Sequence, residues 1–195
     1  MKLELNKVIN DAIKLKKELI KLNPNISKAI DLMTLTLKKG NKIFICGNGG
    51  SAADAQHLAA EFLIRLRPKI NRRPYPVISL AQDTSTLTAC GNDIGFENIF
   101  KRNLEALANK KDLLITLSTS GNSKNIIKVL KFAKSKNIKS ISFLGNKGGK
   151  CKGLSNIELE IPHNNTARIQ ECHIFLGHFI FENVENRLLK IKSNV

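Results

Sequence analysis

The stretch FICGNGGSAADAQHLAAEF, residues 44–62, determines how the chain is expected to fold. A short apolar run ends at a glycine-rich turn, and a helical segment of small and apolar residues follows. A strand, a glycine-rich turn and a helix in this order are typical of the start of a β-α-β unit. His57 and Glu61 are four residues apart in the helical segment, so they lie on one face, one turn from each other. Because an unpaired buried carboxylate is costly, Glu61 needs a partner such as a metal ion or an imidazolium.

The alternation of strand and helix continues along the chain. Apolar runs predict five strands, at residues 42–46, 76–81, 112–118, 138–145 and 156–162. Helical periodicity predicts helices at residues 3–22, 27–40, 51–66, 124–137 and 167–190, with a broken helical crossover at 83–90 and 95–108. Strands that alternate with helices predict a parallel sheet covered by helices on both faces.

Length and composition favour one globular domain. The chain has 195 residues, of which 42% are hydrophobic and 25% charged. No apolar run reaches the roughly 18 residues of a membrane-spanning helix, and the N-terminus has no signal-peptide core, so we expect a cytoplasmic protein. Four widely spaced cysteines without a C-x-x-C pair predict reduced thiols rather than disulfides or a cysteine zinc site.

The positive charge makes nucleic acid the first partner to consider. Lysine and arginine number 32 against 16 acidic residues, a formal net charge of +16. However, the lysines are scattered through every helical segment, and one tyrosine and no tryptophan are available for base stacking. A solvated basic surface is the simpler interpretation, and its field would also attract a small phosphorylated substrate.

Two loops of similar composition follow the first and third predicted strands, CGNGGSAAD at 46–54 and LSTSGNSKN at 117–125. Ligands of open parallel sheets bind outside the carboxyl ends of the strands, where both loops would lie. Glycines allow close approach of an anion, helix N-termini present free N–H groups, and hydroxyls add donors. The alternative is a turn whose serine caps a helix. Five hydroxyl or amide side chains at 118–123 exceed that need, so a phosphate site is favoured.

The kind of phosphate ligand is partly restricted by motifs. The P-loop pattern does not occur in the sequence. Gly47-x-Gly49-x-x-Ala52 fits the dinucleotide fingerprint, which indicates a nicotinamide or flavin enzyme as an alternative. That fingerprint also requires an acidic residue about 20 positions later to bind the ribose, and none occurs there before Asp83. The fingerprint alone is therefore a weak signal.

The last predicted helix carries further polar candidates. Gln170 and His178 are eight residues apart, which places them about two turns and about 80° from one another, so both can project toward one crevice. His173 lies three residues beyond Gln170 and competes with His178 for such a role.

Four segments together resemble one family: CGNGGSAADAQHLAAEF (46–62), CGNDIGFENIF (90–100), STSGNSKNIIKVLKFAK (118–134) and TARIQECHI (166–174). They are similar to the phosphoheptose isomerases, a branch of the sugar isomerase (SIS) domain proteins, over residues 40–180. The resemblance implies a single SIS domain over 1–195, with helices at 1–40 and, over 41–195, a five-stranded parallel sheet in a three-layer α/β/α sandwich and a C-terminal helix. It also implies a homotetramer with active sites at subunit contacts.

The resemblance implies roles for individual residues as well. The implied substrate-binding residues are Asn48, Gly49, Gly50, Ser51, Glu61, Asn92, Asp93, Ser118, Thr119, Ser120, Ser123 and Gln170, with residues 118–123 on the phosphate. The implied ligands of one Zn²⁺ per subunit are His57, Glu61, Gln170 and His178. Arg65 and Arg168 also fall within matching motifs, where we expect supporting roles.

The implied reaction is the conversion of sedoheptulose 7-phosphate to D-glycero-D-manno-heptose 7-phosphate through a cis-enediol, an aldose–ketose isomerisation that supplies heptose for lipopolysaccharide or capsule. Glu61 would move the proton between C1 and C2, and His178 would serve the oxygens. The competing hypothesis is a non-catalytic SIS-domain regulator that binds a sugar phosphate. Such a binder does not need His57, Glu61, Gln170 and His178 together, so the enzyme is favoured.

Overall fold

A computed structural model describes residues 4–81 and 83–191 and contains one five-stranded sheet. The strands are β1 (Ile43–Gly47), β2 (Val77–Ser79), β3 (Leu113–Ser118), β4 (Lys139–Gly145) and β5 (Ile157–Ile161). They are ordered β2-β1-β3-β4-β5, and every neighbouring pair is parallel. The predicted five-stranded parallel sheet is confirmed.

Seven α-helices connect and flank the strands. They are α1 (Leu5–Glu18), α2 (Asn23–Lys38), α3 (Gly50–Leu63), α4 (Thr84–Asp93), α5 (Ile99–Leu107), α6 (Lys124–Ser135) and α7 (Thr166–Leu189). Short 3₁₀ turns occur at Leu19–Leu22, Phe96–Asn98 and Asn146–Cys151. None of the helices in the described part of the chain is long and apolar enough to cross a membrane.

The sheet separates two apolar cores, which gives the three layers. Side chains of β1 alternate, so Ile43 and Ile45 contact the core formed with α2, α3 and α7. Phe44 and Cys46 contact the opposite core, formed with α5 and α6. All five residues of β1 are buried, as expected for a parallel strand covered on both faces.

Several boundaries differ from the sequence prediction. The predicted helix at 3–22 is α1 followed by a 3₁₀ turn, and residue 3 lies outside the described residues. α2 begins at Asn23, four residues before the predicted start at residue 27, because Pro24 fits the first turn of a helix. α3 ends at Leu63 rather than at residue 66, and a 3₁₀ turn at Asn146–Cys151 follows the fourth strand.

The order of the strands creates a crevice at one point of the sheet. β1 and β3 are neighbours, with Gly47 paired to Leu117 at their carboxyl ends. The helix after β1 packs on one face of the sheet, and the helix after β3 packs on the other. The two chain segments therefore diverge between β1 and β3, which is the topological switch point where open α/β sheets bind ligands.

Candidate active site

Two asparagines join the loops on either side of the switch point. Asn48 donates from Nδ2 to Oδ1 of Asn125 over 2.9 Å, and Asn125 donates from Nδ2 to Oδ1 of Asn48 over 2.8 Å. The Oδ1 atom of Asn125 also accepts from the backbone N–H of Ile126 in α6. The sequence prediction missed Asn125, although its place just after the serine-rich loop was a usable signal. This reciprocal pair fixes the first loop relative to the second.

The first loop, residues 47–51, exposes backbone at the start of α3. Gly47 approaches the helix closely, since a Cβ there would lie 2.6 Å from the carbonyl oxygen of Ser51. Gly49 has φ +54° and occupies the N-cap position without a side-chain cap. Gly49 and Gly50 are exposed while Ser51 is buried. An exposed glycine backbone at a helix N-terminus is suited to an anionic ligand, because the ligand can approach it closely.

The second loop, which we call the serine loop (residues 118–123), keeps hydroxyl donors available. The Oγ atom of Ser118 accepts from the N–H of Gly121 over 3.1 Å, and the Oγ atom of Ser120 accepts from the N–H of Asn122 over 3.1 Å. In these bonds the hydroxyls are acceptors, so their own hydrogens can be donated to a ligand. Ser123 occupies the N-cap position of α6, but its side chain makes no capping hydrogen bond. Helix capping therefore does not account for the hydroxyl at Ser123.

The serine loop is supported from behind by the 3₁₀ turn at Asn146–Cys151. Gly121 has φ +62°, and a Cβ there would collide with the backbone of Gly148. The N–H of Cys151 donates to the carbonyl oxygen of Gly121 over 2.9 Å, and the N–H of Lys150 donates to Oδ1 of Asn122 over 3.1 Å. These contacts hold the loop in one conformation.

A cluster of two imidazoles and one carboxylate lies between α3 and α7. The Nε2 atom of His57 is 2.8 Å from Nε2 of His178 and 3.2 Å from Oε1 of Glu61. These three residues place one ligand atom each within 4.8 Å of one another. The side chain of His57 is 49% exposed and that of Glu61 is 16% exposed, so the cluster is open on one side. The structure thus brings together residues that are separated by more than one hundred positions.

The cluster fits a divalent cation. The Oε2 atom of Glu61 is buried and has no hydrogen-bond partner within residues 4–81 and 83–191. A buried carboxylate oxygen without a partner is costly, and a bound cation would remove that cost. Two imidazole nitrogens with a carboxylate oxygen are a common set of zinc ligands.

Gln170 faces the start of α3. Its amide lies over Gly50, where a Cβ would come within 2.5 Å of both amide heavy atoms. Its Nε2 atom donates to Oδ1 of Asp54 over 3.4 Å. The other oxygen of Asp54 is buried without a partner in the described residues, and burial raises the pKa of this carboxyl group. The sequence prediction did not include Asp54. Its position was a usable signal, because residues 54, 57 and 61 share one face of the helix.

His173 points away from this cluster. Its side chain is fully buried and lies edge-on to the ring of Phe143, with ring centroids 5.9 Å apart. Neither ring nitrogen makes a hydrogen bond of normal geometry within the described ranges. Burial lowers the pKa of His173 to about 4, and a weak contact with the backbone of Leu144 only partly opposes this shift. The structure therefore places His178, and not the competing His173, beside His57.

Four other residues named from the resemblance make no hydrogen bond or ion pair with the cluster among the described residues. Asn92 donates from Nδ2 to Oδ1 of Asp93 over 2.8 Å at the end of α4, and both side chains are exposed. Among the described contacts, none joins this pair to the cluster or to the serine loop. Arg65 is exposed beyond the end of α3, and Arg168 forms an ion pair with Glu171.

The fold and the two loops define a class of protein: an α/β domain with a crevice suited to an anionic ligand at the switch point of its parallel sheet. Comparison with known proteins agrees. The family model of the SIS domain matches residues 9–145. A phosphoheptose isomerase of Aliarcobacter butzleri (strain RM4018) is 52% identical over 163 residues, which cover 84% of this chain and 85% of the relative.

Solved structures that resemble this chain include phosphoheptose isomerases as well. A phosphoheptose isomerase from Neisseria gonorrhoeae superposes with a TM-score of 0.85 and 38% identity, covering 93% of this chain and 97% of that one. A phosphoheptose isomerase from Francisella tularensis superposes with a TM-score of 0.89 and 34% identity, covering 94% and 97%. The chain belongs to the SIS domain family and, within it, to the phosphoheptose isomerases.

Proposed function

We propose that the chain interconverts sedoheptulose 7-phosphate and D-glycero-D-manno-heptose 7-phosphate. The observation that carries this proposal is the cluster of His57, Glu61 and His178 beside two loops suited to an anion. A base, an acid and a phosphate site are the groups that isomerisation of a sugar phosphate requires. The names of the relatives that cover most of this chain support the same substrate class.

The serine loop is assigned to the phosphate group. Hydroxyls of Ser118, Ser120 and Ser123 can donate to phosphate oxygens, and α6 directs its N-terminus to the same place. The other proposed substrate contacts are Asn48, Gly49, Gly50, Ser51, Glu61, Asn92, Asp93, Thr119 and Gln170. Since the phosphate is at one end of the sugar, this assignment leaves C1 and C2 for the cluster.

Proton transfer is assigned to Glu61 and His178. The carboxylate of Glu61 takes a proton from C1 of the open-chain ketose while protonated His178 donates to the oxygen on C2, which gives the cis-enediol. His178 then takes the proton from the oxygen on C1, and the carboxyl group of Glu61 returns its proton to C2. Each group ends in its starting protonation state, so the cycle is balanced.

A metal ion belongs to the proposal. His57, Glu61, Gln170 and His178 would hold one Zn²⁺, and the Oε2 atom of Glu61, which has no hydrogen-bond partner among the described residues, supports this. His178 would release the ion before it acts as an acid, because both nitrogens of an imidazolium carry protons and neither can bind a metal. When bound, the ion would supply Lewis-acid polarisation of the carbonyl group. His57 would orient the carboxylate, since its Nε2 atom is 3.2 Å from Oε1 of Glu61.

Assembly into a homotetramer, with active sites at subunit contacts, is also proposed. Exposed apolar side chains on α1 support it: Leu5 is 64% exposed, Ile9 45% and Ile13 48%. Ile94 and Phe96, next to Asn92 and Asp93, are exposed as well. An interface that covers them would place this asparagine–aspartate pair beside another subunit. Light scattering of the purified protein tests the assembly.

A cytoplasmic location completes the proposal. Four buried free thiols support it, because cysteines stay reduced in the cytoplasm.

The function is tested by incubating the protein with sedoheptulose 7-phosphate, with and without a metal chelator, and following the aldose product by NMR. We expect turnover that the chelator removes. Glu61→Gln should reduce kcat by about 10²–10⁴-fold, which is the usual contribution of a general base, while binding of the sugar phosphate is retained. Binding without turnover in the parent protein would contradict the enzyme and favour the non-catalytic regulator.

A further inference from the structure

The side chain of Arg72 caps the C-terminal end of α3. It lies in the connector between α3 and β2 and is only 1% exposed. Its Nη2 atom donates to the carbonyl oxygen of Glu61 over 2.7 Å, and its Nη1 atom donates to the carbonyl oxygen of Phe62 over 2.9 Å. The last carbonyls of a helix have no partner inside the helix, so a cation at this end satisfies them and interacts favourably with the helix dipole.

The same guanidinium group is bonded to α7. Its Nε atom donates to Oε1 of Glu185 over 2.6 Å, and the other oxygen of Glu185 accepts from Nε of Arg67 over 2.7 Å. The side chain of Glu185 is fully buried. The rings of Phe62 and Tyr75 lie 5.3 and 5.1 Å from Cζ of Arg72, so the guanidinium is also packed by aromatic side chains.

These bonds connect the two helices that supply the cluster. α3 carries Glu61, whose own carbonyl oxygen is held by Arg72. α7 carries His178, which is seven residues, or about two turns, before Glu185. We propose that Arg72 is a positioning residue, which acts through Glu185 to fix the carboxylate of Glu61 on α3 relative to the imidazole of His178 on α7. Its role in turnover rests on the proposed function.

The planar guanidinium group explains why this position requires arginine, since its N–H groups donate to several acceptors at once. Arg72 serves a carboxylate on one edge and two helix carbonyls on the other, whereas lysine is a point charge that cannot reach these acceptors together. Arg72→Lys therefore keeps the charge and loses the connection between the helices. A displacement of about 1 Å in reacting groups can cost about 10²-fold in rate.

The test compares Arg72→Lys with Arg73→Lys. Arg73 is a matched control because it is adjacent and exposed, and among the residues that the structure describes its guanidinium contacts only the ring of Tyr75, at 5.4 Å. For Arg72→Lys we expect kcat for sedoheptulose 7-phosphate to fall at least tenfold, while KM stays within twofold because the serine loop is unchanged. Arg73→Lys should match the parent protein in both constants.

A titration with Co²⁺, followed by visible absorption, gives a readout that does not need turnover. Supporting residues of metal sites usually contribute about 10–100-fold to affinity or activity, so Arg72→Lys should bind Co²⁺ at least tenfold more weakly. If the parent binds Co²⁺ but does not turn over sugar phosphate, the proposed function fails, and this titration alone decides the role of Arg72. A parent that binds no Co²⁺ and shows no turnover contradicts both proposals.

The result that would overturn the positioning role is an Arg72→Lys variant whose kcat and Co²⁺ affinity are within twofold of the parent, whatever its melting temperature. Should that variant fail to fold, Glu185→Gln provides the second measurement, since it keeps the shape of the side chain and removes the charge that holds Arg72. Unchanged kcat and Co²⁺ affinity in a folded Glu185→Gln protein would equally contradict the proposal.

Discussion

Replacing His173 by methionine separates a structural histidine from the one assigned to the site. His173 is fully buried against Phe143, and in the part of the chain that the structure describes its ring nitrogens make no hydrogen bond of normal geometry, only a weak contact with the backbone of Leu144. Methionine is apolar and adaptable in shape, so it can fill this space without a polar atom that needs a hydrogen bond. At neutral pH we therefore expect the His173→Met protein to be at least as stable as the parent.

The larger effect is on the dependence of stability on pH. Burial lowers the pKa of His173 from 6.5 to about 4 in the folded protein. Between these values the unfolded chain binds a proton that the folded chain does not, so stability falls as the pH decreases from about 6.5 toward 4. At ~1.4 kcal/mol per pKa unit, the two units between the ordinary pKa of 6.5 and a pH of about 4.5 correspond to a loss of about 3 kcal/mol due to His173. Over the same pH range, the free energy of unfolding of the His173→Met protein should therefore fall less than that of the parent, by about this amount.

Denaturant unfolding of both proteins at pH 7.5 and pH 4.5, at one protein concentration, measures this difference. His178→Met provides the matched control, because it is the same substitution five residues along the same helix. We expect His173→Met to keep turnover at pH 7.5 and His178→Met to lose it. Equal losses of stability in the parent and in His173→Met, or loss of turnover in a folded His173→Met protein, would refute the reasoning.

Further predictions concern the two loops and Gln170. Ser120→Ala combined with Ser123→Ala should raise KM at least tenfold through lost donors to phosphate, and an unchanged KM in steady-state kinetics would contradict the phosphate role. Gly50→Ala should displace the Gln170 amide, which a Cβ would approach to 2.5 Å, and reduce kcat/KM at least tenfold with an unchanged circular dichroism spectrum. Asn125→Ala should weaken sugar-phosphate binding measured by calorimetry, because the buried amide that joins the two loops is lost.

The sequence by itself was sufficient to predict the layers of the fold and the pairing of two of the three cluster residues, His57 and Glu61. Strands buried on both faces are continuous apolar runs, and helices repeat every 3.6 residues, so both can be recognised from local order. The pairing of His57 with Glu61 is local in the same sense, since four residues make about one helical turn. The two glycine- and serine-containing loops were recognised because both follow strands of one parallel sheet.

Only the tertiary structure decided which residues from distant parts of the chain meet. His173 and His178 lie about 140° apart around α7, and a helix with apolar residues on several faces does not reveal which face packs on the sheet. Packing against β4 buries His173 and leaves His178 beside α3. The contacts of Asn125 with Asn48 and of Arg72 with Glu185 have the same origin. Their partners are 77 and 113 residues away in the chain, and helix packing rather than local periodicity brings them together.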